Sequence, residues 1–186
     1  MKKPLQTPEE IRLQIWKELG RASQDRHHEW RTPVLATASS SGAVNARTVV
    51  LRAANMSTET LTIYTDKRSP KVSDLMQQPS ALFVFWSTRL SWQLRVRVTM
   101  SVQTSGPLLE SLWQVVRQSP SASDYLDPEP PGAKLHLDIA TNSDDKSVHH
   151  FSVITAQVTE IDWLELARTG HRRAQIGTDN WAWLTP

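Results

Sequence analysis

Hydrophobic residues recur along this chain with two different periods, and the change between them falls near Gly20. Before that point, isoleucine and leucine repeat every four positions, which is typical of one face of an amphipathic helix. Thr7 and Glu10 have the spacing of a capping box, and Pro8 stands at the first helical position. The pattern therefore predicts an N-terminal helix over about 7–20, with Gly20 as its stop.

After Gly20 the chain consists mostly of short runs that are rich in β-branched and aromatic residues. Such runs, separated by turns rich in small polar residues, are typical of strands. Strands are predicted at residues 34–38, 44–51, 61–65, 81–86, 92–102, 150–163, 171–176 and 181–184. Most gaps between them are short, which favours an antiparallel sheet or a closed barrel over βαβ units.

The remaining segments complete the predicted organisation of one domain over residues 1–186. Helical spacing of apolar residues predicts short helices over about 70–77 and 108–117. Residues 119–145 hold several prolines among many small polar residues, which predicts a long irregular loop. No internal repeat or change of composition indicates a second domain.

Cationic residues are concentrated where two predicted strands lead into a helix. Arg47 and Arg52 lie on one predicted strand and, because side chains alternate along a strand, they point to opposite faces. Ser69 suits the N-cap of the following helix and Pro70 its first position. A helix N-terminus attracts anions, and Lys71 adds a full charge there. These residues predict a site for a phosphate group.

The composition excludes several classes of function. The 21 basic and 19 acidic residues give a net charge of only +2, too little to attract nucleic acid through a global field. The absence of cysteine excludes disulfides, thiolate ligands and cysteine nucleophiles. No apolar run approaches the ~20 residues of a membrane helix, and no signal peptide follows the basic N-terminus. We therefore expect a cytoplasmic protein that binds neither membranes nor nucleic acid.

The motifs of common metal, nucleotide and hydrolase sites are also missing from the sequence. The histidines at 27–28 and 149–150 are adjacent pairs, and adjacent side chains diverge in both strands and helices. His136 and His171 stand alone, so no metal site is expected. The sequence contains no Walker A motif, no Gly-x-Gly-x-x-Gly and no Gly-x-Ser-x-Gly elbow.

From about residue 30 to the C-terminus, the chain carries a series of motifs in a specific order. They are Arg-x-Val-x-Leu-Arg, Tyr-Thr, Arg-Ser-x-Lys, Leu-Phe-x-Phe-Trp, Trp-Gln-Leu-Arg-Val, Gly-His-Arg-Arg and Trp-Leu-Thr-Pro. The series resembles the pyridoxamine 5′-phosphate oxidase family of FMN-binding split barrels, and its oxidase-like branch most. The resemblance implies a mainly β fold, a six-stranded antiparallel Greek-key split barrel with flanking helices. It also implies a homodimer with one FMN in each of two clefts at the subunit interface.

The resemblance assigns cofactor-binding roles by position in the motifs. Backbone groups near Val49 and Val50 would meet the edge of the flavin ring, whereas Thr65 and its neighbours would surround the ribityl chain and phosphate. Trp163 would be supplied by the second subunit. The residues implied to bind FMN are Arg47, Thr48, Val49, Val50, Arg52, Tyr64, Thr65, Ser69, Lys71, Gln93, Trp163 and Gln175.

The same resemblance does not extend to the substrate site. The Tyr, Arg and Ser that grip the substrate phosphate in the vitamin oxidases correspond to Val115, Ser119 and Ser123, so only the last is kept. Arg173 occupies the position of the family's histidine, and Gln175 that of an FMN-contacting arginine. Ser123 and Arg173 are the implied substrate contacts, and serine cannot replace a bidentate arginine.

The function implied is therefore that of an FMN-dependent oxidoreductase acting on a small molecule whose identity the sequence does not give. Its catalytic residues are not assigned, since the flavin itself carries the chemistry in such enzymes. Two alternatives stay open at this point. One is a non-catalytic protein that binds or stores flavin, and the other is a barrel of this shape that has lost flavin and binds haem or a partner protein.

Overall fold

Antiparallel pairing joins nine strands into one sheet in the computed structural model of the chain, which describes residues 7–134, 148–177 and 180–186. The strands are β1 (Val34–Ala38), β2 (Val44–Thr48), β3 (Leu51–Asn55), β4 (Thr60–Asp66), β5 (Ser80–Ser87), β6 (Trp92–Gln103), β7 (Phe151–Glu165), β8 (Arg172–Gly177) and β9 (Trp181–Leu184). The helices are α1 (Pro8–Gln24), α2 (Pro70–Gln77) and α3 (Pro107–Val116), with 3-10 helices at Glu29–Arg31 and Pro120–Tyr125.

The sheet branches at its longest strand. Its main path runs β2-β1-β5-β6-β7-β4-β3. The first half of β7 pairs with β4, whereas its second half pairs with β8, which in turn pairs with β9. The predicted class, a mainly antiparallel β fold with flanking helices, is confirmed.

The sheet contains more strands than the six that the resemblance implies. One reason is that the predicted strand 44–51 is divided in two. After β2 the chain leaves β1, and β3 then pairs with β4 at the other end of the main path. Arg47 and Arg52 therefore lie on different strands, and the prediction that they share one was wrong. The C-terminal pair β8 and β9 accounts for the rest of the difference.

The N-terminal helix is longer than predicted because Gly20 does not end it. The capping box of Thr7 and Glu10 is present, and the helix continues to Gln24. Its apolar stripe of Ile11, Ile15 and Leu19 is completely buried in the main core against the inner face of the sheet. Each of these side chains contributes about 1.5–3 kcal/mol by leaving water.

A second, smaller core packs α3 and the 3-10 helix Pro120–Tyr125 onto the start of β7. Trp113 and Tyr125 both contact the ring of Phe151, with centroid separations of 5.7 and 5.1 Å. Part of the predicted irregular loop is therefore structured and anchored. The section of that loop beyond residue 134 lies outside the described residues.

Candidate functional site

The predicted phosphate site forms where β4 ends and α2 begins. Lys71, in the first turn of α2, donates hydrogen bonds from Nζ to Thr65 Oγ1 and to Ser69 Oγ, both at 2.7 Å. A tight turn between β4 and α2 brings these groups together, with Ser69 N–H donating to the carbonyl of Asp66 at 3.1 Å. The side chains of Thr65 and Ser69 belong to buried residues, whereas Lys71 is half-buried.

The ammonium group of Lys71 has neutral oxygens as its hydrogen-bond partners. Burial and, after it, the nearby charge of Arg47 lower the pKa of Lys71 from 10.5 to about 8, although Asp66 opposes the shift. A lowered lysine pKa means that the surroundings disfavour the positive charge. An anion bound beside Lys71 would supply the missing compensation.

Arg47 reaches the same region from the edge strand β2. Its Nη1 donates to Thr37 Oγ1 at 2.7 Å, and its Nη2 lies 3.8 Å from Asp74 Oδ2. Thr37 donates in turn to the same carboxylate oxygen at 2.9 Å. Desolvation lowers the pKa of Arg47, and Asp74 acts in the opposite direction. These contacts hold the guanidinium near Lys71.

Sequence reasoning missed Thr37 and Asp74, although a weak signal for each was available. Thr37 is a polar residue at an inward-facing position of β1, next to apolar partners. Asp74 lies on the buried side of α2 between Val72 and Leu75. Buried polar groups of this kind need hydrogen-bond partners, so their positions are informative once the strands are paired.

Arg68 fixes the turn between β4 and α2, and it was also missed as a site residue. Its guanidinium contacts both carboxylate oxygens of Asp66, with a closest separation of 2.7 Å. It also donates to the carbonyls of Asp127, Pro128 and Glu129, at 2.7, 2.8 and 3.2 Å. Arg68 therefore engages the carboxylate of Asp66, whose charge acts on Lys71, and it holds the segment after the 3-10 helix beside the turn.

Arg52 and Tyr64 lie away from the Lys71 group, on the other face of β4. Arg52 stands at a bulge of β3, with its guanidinium 5.5 Å from the centre of the Tyr64 ring, and its charge acts on Tyr125. Its Nε is buried without a partner in the described structure. Because Tyr64 and Thr65 alternate along β4, the predicted residues form two groups on opposite faces, and the structure does not bring Arg52 into the group around Lys71.

The backbone between β2 and β3 is only partly available to a ligand. Thr48 is exposed, Val49 is buried and Val50 is half-buried. The N–H of Val49 donates to the carbonyl of Pro33 at 3.0 Å. Any contact of a flavin edge with this segment would therefore use other backbone groups than that N–H.

The C-terminal residues predicted to bind the cofactor are divided between the two faces of the sheet. Trp163 is completely buried within this chain, with its ring centre 5.3 Å from that of Trp92. Because adjacent side chains of a strand point to opposite faces, Trp163 points into the core and Asp162 points away from it. Other aromatic rings surround Trp163 there. Gln93 and Gln175 lie on the opposite, outer face, and Gln175 donates to the carboxylate of Glu160.

The two implied substrate contacts are already engaged within the chain or exposed. Arg173 binds both oxygens of Asp162, at 3.0 and 2.7 Å, on the outer face of β8. Ser123 is exposed in the 3-10 helix, with its hydroxyl 3.4 Å from the carbonyl of Pro120. The structure does not bring these two residues into contact with each other.

The described part of the chain contains neither a cluster of metal-binding side chains nor a membrane-spanning helix. Within residues 7–134, 148–177 and 180–186, no group of three His, Asp or Glu side chains is arranged to hold a metal ion. None of the helices found in those same ranges is both long and apolar enough to cross a bilayer.

Comparison with known proteins supports the motif series. Residues 13–104 match the family model for the pyridoxamine 5′-phosphate oxidase FMN-binding domain. No curated protein sequence matches the chain.

Solved structures match nearly the whole chain. A pyridoxamine 5′-phosphate oxidase-related, FMN-binding protein from Nostoc punctiforme aligns with a TM-score of 0.71 and 22% identity, covering 98% of this chain and 100% of that one. PhzG from Burkholderia lata, solved with tetrahydrophenazine-1-carboxylic acid, aligns with a TM-score of 0.69 and 16% identity, covering 99% and 95%. At these identities the likeness establishes the fold. With the family model it places this chain in the pyridoxamine 5′-phosphate oxidase family of FMN-binding split barrels.

Proposed function

We propose that the chain binds FMN, with the phosphate held by Lys71, Arg47 and the first turn of α2. The observation that carries this proposal is the half-buried ammonium of Lys71, whose hydrogen-bond partners are two hydroxyls and whose pKa is lowered to about 8. The Ser69 side chain makes no capping bond to the helix. Both features fit a dianionic group at the positive end of the helix, because its oxygens can accept hydrogen bonds from Lys71 and from Arg47.

The proposed activity is that of a flavin-dependent oxidoreductase acting on a small molecule. When bound, FMN supplies the hydride-accepting chemistry, and the protein contributes binding, orientation and electrostatics. Arg52 and Tyr64 are half-buried and form a cationic, aromatic pair on the opposite face of β4 from Thr65, where they could orient a flat substrate or the distal part of the cofactor.

We propose a homodimer, because one face of the sheet presents apolar side chains to solvent. In this outer apolar face, Val44 is 74% exposed and Trp86 is 46% exposed. Cross-strand pairing places its members side by side on β1, β2 and β5. The members of the outer apolar face are Val34, Ala36, Val44, Ala46, Leu82, Val84 and Trp86. Exposed apolar surfaces of this kind are typical of interfaces. A cytoplasmic location is part of the same proposal.

Flavin content and turnover test the proposal. The purified protein is expected to be yellow, with absorption near about 450 nm, and to bind added FMN after the cofactor is stripped. Lys71→Ala should weaken FMN binding about tenfold or more, because a charge-assisted hydrogen bond contributes about 1.5–3 kcal/mol. Lys67→Ala, at an exposed position in the same turn, is the matched control and should bind as the wild type does.

Anaerobic reduction of the bound flavin by a panel of small molecules then separates the candidate functions. Reduction by one compound, followed by reoxidation, supports an oxidoreductase. A protein that binds FMN but whose flavin no compound reduces would favour the flavin-storing alternative. A folded protein that does not bind FMN would contradict the proposal.

A further inference from the structure

We propose that five tryptophans form a path along which a one-electron oxidation formed in the core passes to the surface of the protein. Their rings contact one another in one continuous series, which we call the tryptophan row. From the core to the surface, the members of the tryptophan row are Trp30, Trp92, Trp163, Trp183 and Trp181. The inference does not rest on the proposed function, because it concerns the protein without FMN.

The spacing along the tryptophan row is that of rings in direct contact. The ring centres are 6.5 Å apart from Trp30 to Trp92 and 5.3 Å apart from Trp92 to Trp163. They are 6.5 Å apart from Trp163 to Trp183 and 5.7 Å apart from Trp183 to Trp181. Packed aromatic pairs in proteins have ring centres about 4.5–7 Å apart. An electron passes readily between indole rings in contact, so each step of the row can occur without a mobile carrier.

The two ends of the row differ in their contact with water. Trp30 and Trp163 are completely buried, and Trp92 is 5% exposed. Trp183 and Trp181 lie on β9, which pairs only with β8, and they are 45% and 46% exposed. An indole that has lost an electron is a cation, and a buried cation without a partner is costly. The positive charge is therefore more stable at the exposed end of the row.

The groups around the buried rings also disfavour a positive charge there. Nε1 of Trp30 and Nε1 of Trp163 have no hydrogen-bond partner in the described structure, so neither indole can pass its proton to a base. The guanidinium of Arg172 lies 5.4 Å from the centre of the Trp163 ring, and like charges repel. Nε1 of Trp92 donates to the Glu165 carboxylate at 3.1 Å, but Arg172 already pairs with that carboxylate at 2.6 Å. An oxidation of these rings is therefore driven toward β9.

Each step transfers one electron. A one-electron oxidant takes an electron from a buried ring such as Trp163 and is itself reduced. Trp183 then gives an electron to the Trp163 radical cation, which becomes an intact indole again. The N–H proton of the oxidised, exposed indole passes to water. A dissolved reductant of the ascorbate or thiol class returns one electron and one proton to that indole and is itself oxidised. The row thus lets a reductant that stays in solvent repair the core.

The test creates the oxidation inside the protein and then locates it. Ultraviolet pulses ionise the indoles of the FMN-free protein, dissolved dioxygen takes up the ejected electrons, and peptide mass spectrometry measures the oxygenated product at each tryptophan. Trp16 is the internal reference, because it is buried like Trp30, its Nε1 is also unpartnered, and it lies outside the row. The product at Trp16 should exceed that at Trp30 or Trp163 at least about fivefold, since the row carries away a charge that burial disfavours. In urea, where the ring contacts are lost, the three yields should be similar.

Two substitutions at one position separate electron transfer from packing. Trp183→Phe keeps an apolar ring, but phenylalanine does not give an electron to an indole radical, so the product at Trp163 should rise severalfold, toward the yield at Trp16. Trp183→Tyr introduces a ring of nearly the same shape, and tyrosine does reduce indole radicals, so it should restore the low yield at Trp163. Urea unfolding of both variants shows whether they fold with the same stability.

Ascorbate provides a second measurement. It should lower the product at Trp163 in the wild type and in Trp183→Tyr, but much less in Trp183→Phe, because ascorbate itself does not enter the core. Similar yields at Trp16 and Trp163 in the folded wild type would overturn the inference, as would equal yields at Trp163 in Trp183→Phe and Trp183→Tyr. None of these measurements involves FMN, so the tryptophan row can fail while the proposed cofactor site stands, and the reverse.

Discussion

Replacement of Lys71 by methionine should change how the stability of the FMN-free protein depends on pH. Methionine has a flexible, apolar side chain that suits a half-buried position, and it carries no charge. The pKa of Lys71 is lowered from 10.5 to about 8 in the folded protein, so folding disfavours its positive charge. The substitution removes that penalty.

The sign of the effect follows from proton linkage. Between the folded pKa of about 8 and the unfolded value of 10.5, the unfolded chain binds more protons at Lys71 than the folded one does. The stability contributed through Lys71 therefore increases as pH rises through this window. Below the folded pKa the penalty is nearly constant, and above the unfolded pKa it is absent.

The magnitude follows from about 1.36 kcal/mol for each unit of difference in pKa. The full difference corresponds to about 3 kcal/mol, and about 2 kcal/mol of it should appear between about pH 7 and pH 9.5. Loss of the hydrogen bonds to Thr65 and Ser69 costs the mutant about 0.5–3 kcal/mol each. The pH dependence of these bonds is already contained in the folded pKa of Lys71, so what remains shifts the mutant's stability equally at each pH.

The assay is urea unfolding followed by tryptophan fluorescence, for wild type and Lys71→Met, at several pH values. Wild type should gain about 2 kcal/mol relative to the mutant from about pH 7 to about pH 9.5. Lys67→Met is the control and should keep a constant difference from wild type. Saturating inorganic phosphate should flatten the wild-type curve, since a bound anion restores the pKa of Lys71. A difference that is constant, or that falls with pH, would refute this account of the lysine.

Three further outcomes are expected. Trp86→Glu places a charge in the outer apolar face, so it should convert the proposed dimer to a monomer in light scattering with little change in unfolding; an unchanged mass would argue against this interface. Ile15→Ala should lower the unfolding free energy by about 2–5 kcal/mol in urea, because Ile15 is completely buried in the main core; a loss below about 1 kcal/mol would contradict that packing. Arg68→Ala should increase the rate of proteolytic cleavage after residue 125, because Arg68 holds that segment, and it should weaken FMN binding less than Lys71→Ala does. A cleavage rate equal to that of the wild type would show that Arg68 does not hold this segment.

The part of the site that was predicted from sequence is the part built by local geometry. Ser69, Pro70 and Lys71 are consecutive, and a strand that leads through a short turn into a helix beginning at Pro70 constrains where their side chains lie. Thr65 is only six residues from Lys71, and the intervening turn is short. Local spacing was therefore enough to predict this group.

The part that could not be predicted from sequence depends on contacts between distant segments. Arg52 was grouped with Arg47 because one continuous strand was expected, and alternation within a strand does not reveal a change of pairing partner. Trp163 lies on β7, where apolar residues occur on both faces, so alternation could not tell which of its neighbours faces the core. Thr37 and Asp74 meet only after β1, β2 and α2 pack together.

The affinity of the stripped protein for FMN, compared with that for riboflavin, tests the central claim most directly. The two ligands share the flavin ring and the ribityl chain, and only FMN carries the phosphate. Isothermal titration should give FMN at least about tenfold higher affinity than riboflavin in the wild type, and Lys71→Met should remove most of that advantage. Equal affinities for the two ligands in the wild type would contradict a phosphate site at Lys71.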